Sequence, residues 1–292
     1  MPIWKAIILG IVQGLAEFLP ISSSGHLAII KEIMHVDLES GGMFFDIMLH
    51  LGTLAAIFIA FWGDISRMIV EGFHIIGDVL HNIITWIGRL AGGQGKYHRV
   101  IRSSYRKFVM MVIVSTIPTG IIGVLIKDTV EMASSIIIVP GICLLITAVF
   151  LTIADLVDPG EKRPREAKYS EAGLIGIAQG LATMPGLSRS GTTITACMLC
   201  GFEKRFAVKY SFIMSIPAVM GAVVLELKDV GKMSLQTADL IPCGIATVIA
   251  AIVGYLSIRI MMELVRGKSY RGFVIYCALV GALSIGYGIV NW

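Results

Sequence analysis

Charge is scarce in this sequence: 15% of its 292 residues are Asp, Glu, Lys or Arg, against 56% hydrophobic ones, and the mean hydropathy is +0.83. A soluble domain carries roughly a quarter charged residues, so that class is excluded and the chain is expected in lipid. Cysteine is also sparse. All five lie inside apolar runs, and Cys197-x-x-Cys200 lacks the second pair or histidine that a zinc or redox motif needs, so they read as small packing residues. A net charge of +4, with basic residues gathered in connecting loops rather than on an aromatic-interleaved stripe, excludes a nucleic-acid partner. The first apolar stretch meets Gln13 and Glu17 with no small-residue cleavage site and does not read as a signal peptide. Gly92 to Lys96 (GGQGK) lacks the spacing and ending of a phosphate-binding loop and reads as a linker.

What remains is apolar and helical in pattern. Six runs are long enough to cross a hydrocarbon core about 30 Å thick, at 44–62, 108–126, 134–154, 206–226, 239–263 and 271–291. Regions 3–34 and 171–202 differ, because a polar motif containing Gly and Pro interrupts each midway. Halves of about 10 residues would reach only about 15 Å, so each region is predicted to be a re-entrant helix hairpin. Residues 65–91 place Ile69, Phe73, Ile76, Leu80, Ile83 and Ile87 at helical spacing among charged residues, as an interfacial helix lying on the membrane would.

The two interruptions are copies. Gln13 to Leu27 reads QGLAEFLPISSSGHL and Gln179 to Thr193 reads QGLATMPGLSRSGTT, seven identities in fifteen positions without a gap. Each hairpin returns to its own side and precedes three spans, so the second copy must enter from the opposite face. The expected fold is therefore an all-α polytopic membrane protein with an inverted-topology repeat, 1–160 and 161–292, and a site near the midplane where the broken elements meet. On this topology 18 of the 24 Lys and Arg fall on the side holding loops 63–107, 155–170, 203–209 and 264–271, and five fall opposite. The positive-inside rule makes the richer side cytoplasmic and turns the first hairpin's mouth outward.

Glu17 and Arg189 are the leading functional residues, since an ionisable group deep in lipid costs about 2.5 to 3.5 kcal/mol and needs a partner, ligand or water. A salt bridge joining the repeats is the purely structural alternative. Ser22, Ser23, Ser24, Gly25 and His26 stand before one half-helix, and Ser188, Arg189, Ser190, Gly191, Thr192 and Thr193 before the other. Helix starts gather free N–H groups, and a guanidinium suits two-pronged phosphate contact, so the pair describes a diphosphate site. Asp46 and His50, four apart on one helical face, could supply a second carboxylate or a proton relay, or form an interfacial polar pair without chemistry.

The Gln13-x-x-x-Glu17 pattern followed by Pro20, Ser22, Ser23, Gly25 and His26, together with Pro185 to Gly191, resembles the undecaprenyl-pyrophosphate phosphatases associated with bacitracin resistance, along nearly the whole chain. The resemblance implies metal-stimulated hydrolysis of a polyprenyl diphosphate carrier lipid to the monophosphate for cell-wall synthesis, in a bacterial cytoplasmic membrane. It places Glu17, Ser23, His26 and Arg189 at the catalytic positions. Ser22, Ser24, Gly25, Ser188, Ser190, Gly191 and Thr192 would line the substrate. A divalent cation, Mg²⁺ or Ca²⁺, is implied, with Glu17 or Asp46 as candidate ligands. Some members carry Glu where this chain has Gln13, and a neutral amide is the weaker ligand for a hard cation.

Ser23 activated by His26 or Glu17, His26 itself, and a metal-bound water all remain open as nucleophile, with Ser23 preferred. A secondary transporter or lipid flippase is the rival reading, because paired broken helices recur in transporters. The repeat is asymmetric in its chemistry, however: Glu17 corresponds to Thr183, Ser23 to Arg189 and His26 to Thr192. That division favours a reaction at one centre. The Gly-rich stretch from Gly281 to Gly288 suits packing within one chain or in a homodimer.

Overall fold

Lipid offers no hydrogen bonds, so each long apolar run satisfies its own backbone as a helix. The computed structural model describes residues 1–36, 42–134, 136, 138–158, 160–230, 237–265 and 269–290, with backbone alone for 227–230 and 237–239. In order, the helices are α1 (Ile3–Phe18), α2 (Ser23–Ile33), α3 (Gly42–Ala60), α4 (Trp62–Leu90), α5 (Ser104–Leu125) and α6 (Lys127–Ser134). They continue with α7 (Ile138–Leu156), α8 (Tyr169–Leu181), α9 (Arg189–Leu199), α10 (Lys204–Val230), α11 (Thr237–Leu264) and α12 (Arg271–Val290). Among the described residues, α3, α5, α7, α10, α11 and α12 are long and apolar enough to span, in the six regions expected. Positions 135 and 137 of the expected span 134–154, and 291 of 271–291, lie outside the described residues, as do Lys232, Arg266 and Lys268 among the basic residues behind the topology.

Both hairpins form, but their first arms are longer than expected. α1 has 16 residues and α8 has 13, or about 24 and 20 Å at 1.5 Å per residue. Gln13 and Glu17 do not interrupt α1; the chain breaks only after Phe18. A polar side chain that faces protein leaves the helix intact.

Glycine sets how the hairpins dock. Gly10 and Gly14 of α1 press on α11: a Cβ on Gly10 would lie 2.7 Å from the Ala246 carbonyl oxygen, and one on Gly14 2.8 Å from the Gly254 nitrogen. Gly176 and Gly180 of α8, each 166 residues later, press on α5 at the Ser115 carbonyl and at Ile122. The packing thus repeats: α1 lies on α11 as α8 lies on α5. α7 and α12 close on each other through Gly141 and Gly281, so Gly281 is used within the chain. With lipid as apolar as leucine, close backbone approach is what holds such helices together.

α4 has its polarity reversed relative to a soluble helix. Its inner stripe carries Glu71, Asp78 and Asn82. Glu71 accepts from Arg106 Nε (2.8 Å), and Asp78 accepts from Arg106, from Arg102 Nη2 (3.0 Å) and from His98 Nδ1 (2.9 Å). Asn82 exchanges hydrogen bonds with the His98 backbone. Hydrogen bonding to Arg106 holds the carboxyls of both Asp78 and Glu71 below their usual range. Ile69, Phe73, Ile76, Leu80, Ile83 and Ile87 stay exposed, the face a lipid surface takes.

Candidate active site

Both hairpin tips are built alike. Ser22 Oγ accepts from the Gly25 amide (3.3 Å) and Ser188 Oγ from the Gly191 amide (3.1 Å), so each serine caps the helix that follows. Ser22 and Ser24 are 3.3 Å apart, as are Ser188 and Ser190. The tips then meet. A Cβ on Gly25 would come 3.0 Å from Gly186 Cα, and one on Gly191 3.4 Å from Pro20 Cβ. The Gly186 amide donates to Ser24 Oγ (3.3 Å) and Ser190 Oγ to the Leu19 carbonyl (3.4 Å). Gly186, at φ +89°, sits against the Pro140 carbonyl where a side chain would not fit. The Ser188 amide donates to Thr147 Oγ1 (2.9 Å), anchoring the second tip to α7.

Glu17 lies at the centre. Its Oε1 takes Arg189 Nη2 at 2.7 Å, while Oε2 takes Ser23 Oγ at 2.6 Å and Gln13 Nε2 at 3.1 Å. Arg189 also donates to the Ser211 carbonyl (3.3 Å). The cluster is buried, with 8% of the Glu17 and 16% of the Arg189 side chain exposed. Phe18, the next residue, is buried edge-on to Phe212 at 5.4 Å. The first amides of both following helices, at Ser23, Ser24, Arg189 and Ser190, have no hydrogen-bond partner among the described residues. Two helix starts with free donors and one guanidinium can receive an anion.

His26 lies one turn beyond Ser22. Its Nδ1 is 2.7 Å from the Ser22 carbonyl oxygen and its Nε2 2.7 Å from Tyr276 Oη. Thr192, at the matching place in α9, has a buried hydroxyl with no partner among the described residues. Lys31 Nζ holds both oxygens of Asp46, at 2.6 and 2.7 Å. The His50 ring bonds back to the Asp46 carbonyl (2.8 Å).

For a cation, the protein offers few oxygens. Among the described residues no group of three or more His, Cys, Asp and Glu could hold a metal. Gln13 Oε1 is buried and unpartnered beside Glu17, but Gln179 Oε1 is equally orphaned with no carboxylate near it in the repeat. One carboxylate and one amide oxygen fall short of the six to eight ligands of Ca²⁺; they fit Mg²⁺, which keeps its waters and binds through one or two carboxylates plus phosphate oxygens. Tyr276, Thr147 and Ser211 were not foreseen as site residues. The only signal was a hydroxyl inside each apolar span.

A polytopic helical membrane protein whose two hairpins join a carboxylate, a hydroxyl and a guanidinium is the class that this fold and site define. Residues 6–283 match the family described as bacitracin resistance protein BacA, and the chain belongs to that family. It is 39% identical over 291 residues to an undecaprenyl-diphosphatase of Methanosphaera stadtmanae, covering 99% of both chains. It is 39% identical over 284 residues to one of Methanobrevibacter smithii (97% of this chain, 96% of the relative), and 38% over 290 residues to one of Alkaliphilus metalliredigens (99% and 100%).

Proposed function

We propose that the protein hydrolyses undecaprenyl diphosphate to undecaprenyl phosphate and phosphate, recycling the carrier lipid of cell-wall synthesis, at the junction of its two hairpins. The carrying observation is the buried cluster in which Glu17 meets Ser23 of its own hairpin and Arg189 of the other. The names of the relatives support the substrate.

Arg189 and the free amides of α2 and α9 receive the diphosphate, with Arg189 exchanging Glu17 for phosphate oxygens. Ser23 Oγ attacks the terminal phosphorus and its proton passes to Glu17 Oε2, 2.6 Å away. The Oγ–P bond forms as the bond from phosphorus to the bridging oxygen breaks, and undecaprenyl phosphate leaves with that electron pair. Glu17 passes that proton to the departing undecaprenyl phosphate; as a carboxylate again it deprotonates a water, which cleaves the phosphoserine, and the proton returns to Ser23 as phosphate leaves. His26 Nε2, on giving up Tyr276 for a phosphate oxygen, exchanges a proton with the departing phosphate. Bound Mg²⁺ would add positive charge at the phosphate oxygens, and Glu17 and Gln13 Oε1 are the atoms that would hold it. Since phosphoryl transfer rests on positioning and charge stabilisation, this set of groups suffices.

The test is phosphate release from purified protein in detergent micelles, where no gradient exists. Release with label trapped on Ser23 is the expected result. No release from folded protein rejects the phosphatase reading in favour of transport, and label on His26 rejects Ser23 as nucleophile.

The excess of basic residues supports a cytoplasmic membrane location with the site opening outward. A cysteine at the exposed Glu32 should react with an impermeant thiol reagent outside intact cells, and one at Gln94 only after permeabilisation, once the native cysteines are replaced. The reverse pattern inverts the topology.

A further inference from the structure

The group that keeps the His26 ring in place lies 250 residues away on α12. The Ser22 carbonyl can only accept, so Nδ1 carries the hydrogen of a neutral ring and Nε2 the lone pair. Tyr276 Oη, 2.7 Å off, donates to that lone pair. The two ring planes are 8° apart with centroids at 5.4 Å. A ring flipped by 180° would present carbons to both partners, so the pair of bonds selects one tautomer and one orientation.

Tyr276 is itself firmly placed. The next residue, Cys277, is fully buried and its Sγ approaches the Pro20 carbonyl of the first hairpin at 3.7 Å. One turn further, Gly281 lies on α7 at Gly141. A support on a packed helix holds geometry better than one on a loop. Tyr276 is also 41% exposed where His26 is 7% exposed, so it stands between the buried imidazole and the outside of the helix layer.

We infer that Tyr276 is a positioning residue for the hydrolysis: its hydroxyl and ring hold the resting His26 in one tautomer and orientation, so that Nε2 is the atom that passes from Tyr276 to the phosphate. This rests on the phosphatase reading and on the part given there to His26. Tyr276 does not act on phosphorus. Its effect passes through the imidazole, and it should therefore vanish when the imidazole is gone.

The experiment measures kcat and KM for undecaprenyl diphosphate with the full-length protein in detergent, for wild type, Tyr276→Phe, His26→Ala and the double variant. Tyr276→Phe keeps the ring and should lower kcat about 3- to 15-fold, the rate equivalent of one neutral hydrogen bond. KM should stay within about twofold and the melting temperature should not move, whereas a structural defect would lower the melting temperature. In the His26→Ala background, Tyr276→Phe should change nothing further. Wild-type kcat in Tyr276→Phe, or losses that multiply independently in the double variant, overturn the inference. Full activity of His26→Ala overturns it by removing the role of His26, and absence of phosphate release from wild type condemns the phosphatase reading instead.

Discussion

The first and second hairpins share a scaffold and differ in chemistry. Serine caps, serine pairs at 3.3 Å and glycine-faced first arms recur at the same offset. Glu17, Ser23 and His26 of the first become Thr183, Arg189 and Thr192 in the second. The duplicated parts present two sets of backbone donors to one buried cluster; the diverged parts bring a carboxylate, a hydroxyl and a guanidinium there once each. Even the caps diverge in one respect: Ser22 sits at φ +69°, in the region that favours glycine, and Ser188 at −69°.

The comparison breaks most sharply at Arg189. Arg189→Lys keeps the charge but cannot reproduce a planar two-pronged contact, and losing such a bond at a desolvated site costs about 2 to 4 kcal/mol, or about 30- to 1000-fold in rate. Glu17→Gln should also lose activity, part of which raised Mg²⁺ should restore; Arg189→Lys should show no such rescue. Phosphate-release rates across a Mg²⁺ series check both. Near wild-type turnover by folded Arg189→Lys would make the pair a structural strut between repeats.

The shared scaffold is tested by glycine. Gly10→Ala and Gly176→Ala each drive a methyl group into a backbone carbonyl of a neighbouring helix, so each should destabilise by about 1 to 3 kcal/mol. Gly180→Ala should cost less than Gly14→Ala, because it meets the Ile122 side chain rather than the Gly254 backbone. Melting in detergent measures all four, and a tolerated Gly176→Ala beside a damaging Gly10→Ala would end the parallel.

α4 has no counterpart among the described helices of the second half, and its tie is ionic rather than glycine-packed. The folded Asp78 and Glu71 carboxyls are held low by Arg106, so the stability they give is complete above the ordinary carboxylate values, about 3.9 and 4.3, and fades as pH falls through the lower folded ones. A spin label at Gln94 should gain mobility below about pH 4, while labels near the hairpin tips should not. Equal loosening everywhere would remove the distinction.

The smallest difference concerns the caps. Exchange of a capping serine for glycine costs a few tenths of a kcal/mol, but at Ser22 glycine also relieves the positive φ, a gain of about 1 kcal/mol or more. Ser22→Gly should therefore melt at or above wild type and Ser188→Gly slightly below it. The opposite order would show that Ser22 is not strained.

Helix class, the six spanning regions and the pairing of hairpins were legible because lipid forces apolar length and internal hydrogen bonding onto the sequence. The arms were read too short because Gln13 and Glu17 look like interruptions until their partners are known. α6 escaped notice because Lys127, Asp128 and Glu131 mask a short helix as a loop. The glycine facings were readable, since Gly10 and Gly14 recur as Gly176 and Gly180 just upstream of and within the matched windows. Tyr276 and Thr147 were not: each is one hydroxyl in an apolar helix, and only the packing of α12 and α7 gives it an address.

The Glu17–Arg189 pair joins positions 172 residues apart, and a ribosome adds about 5 to 20 residues per second. For on the order of ten to thirty seconds, each nascent chain holds a carboxylate whose counter-charge has not been made. Until then the first hairpin must rest near the lipid surface, borrow water, or carry its carboxyl protonated. A chain halted before its second hairpin therefore keeps an unfinished, poorly anchored first one, which quality-control proteases can recognise, so completion of the active site coincides with completion of the fold.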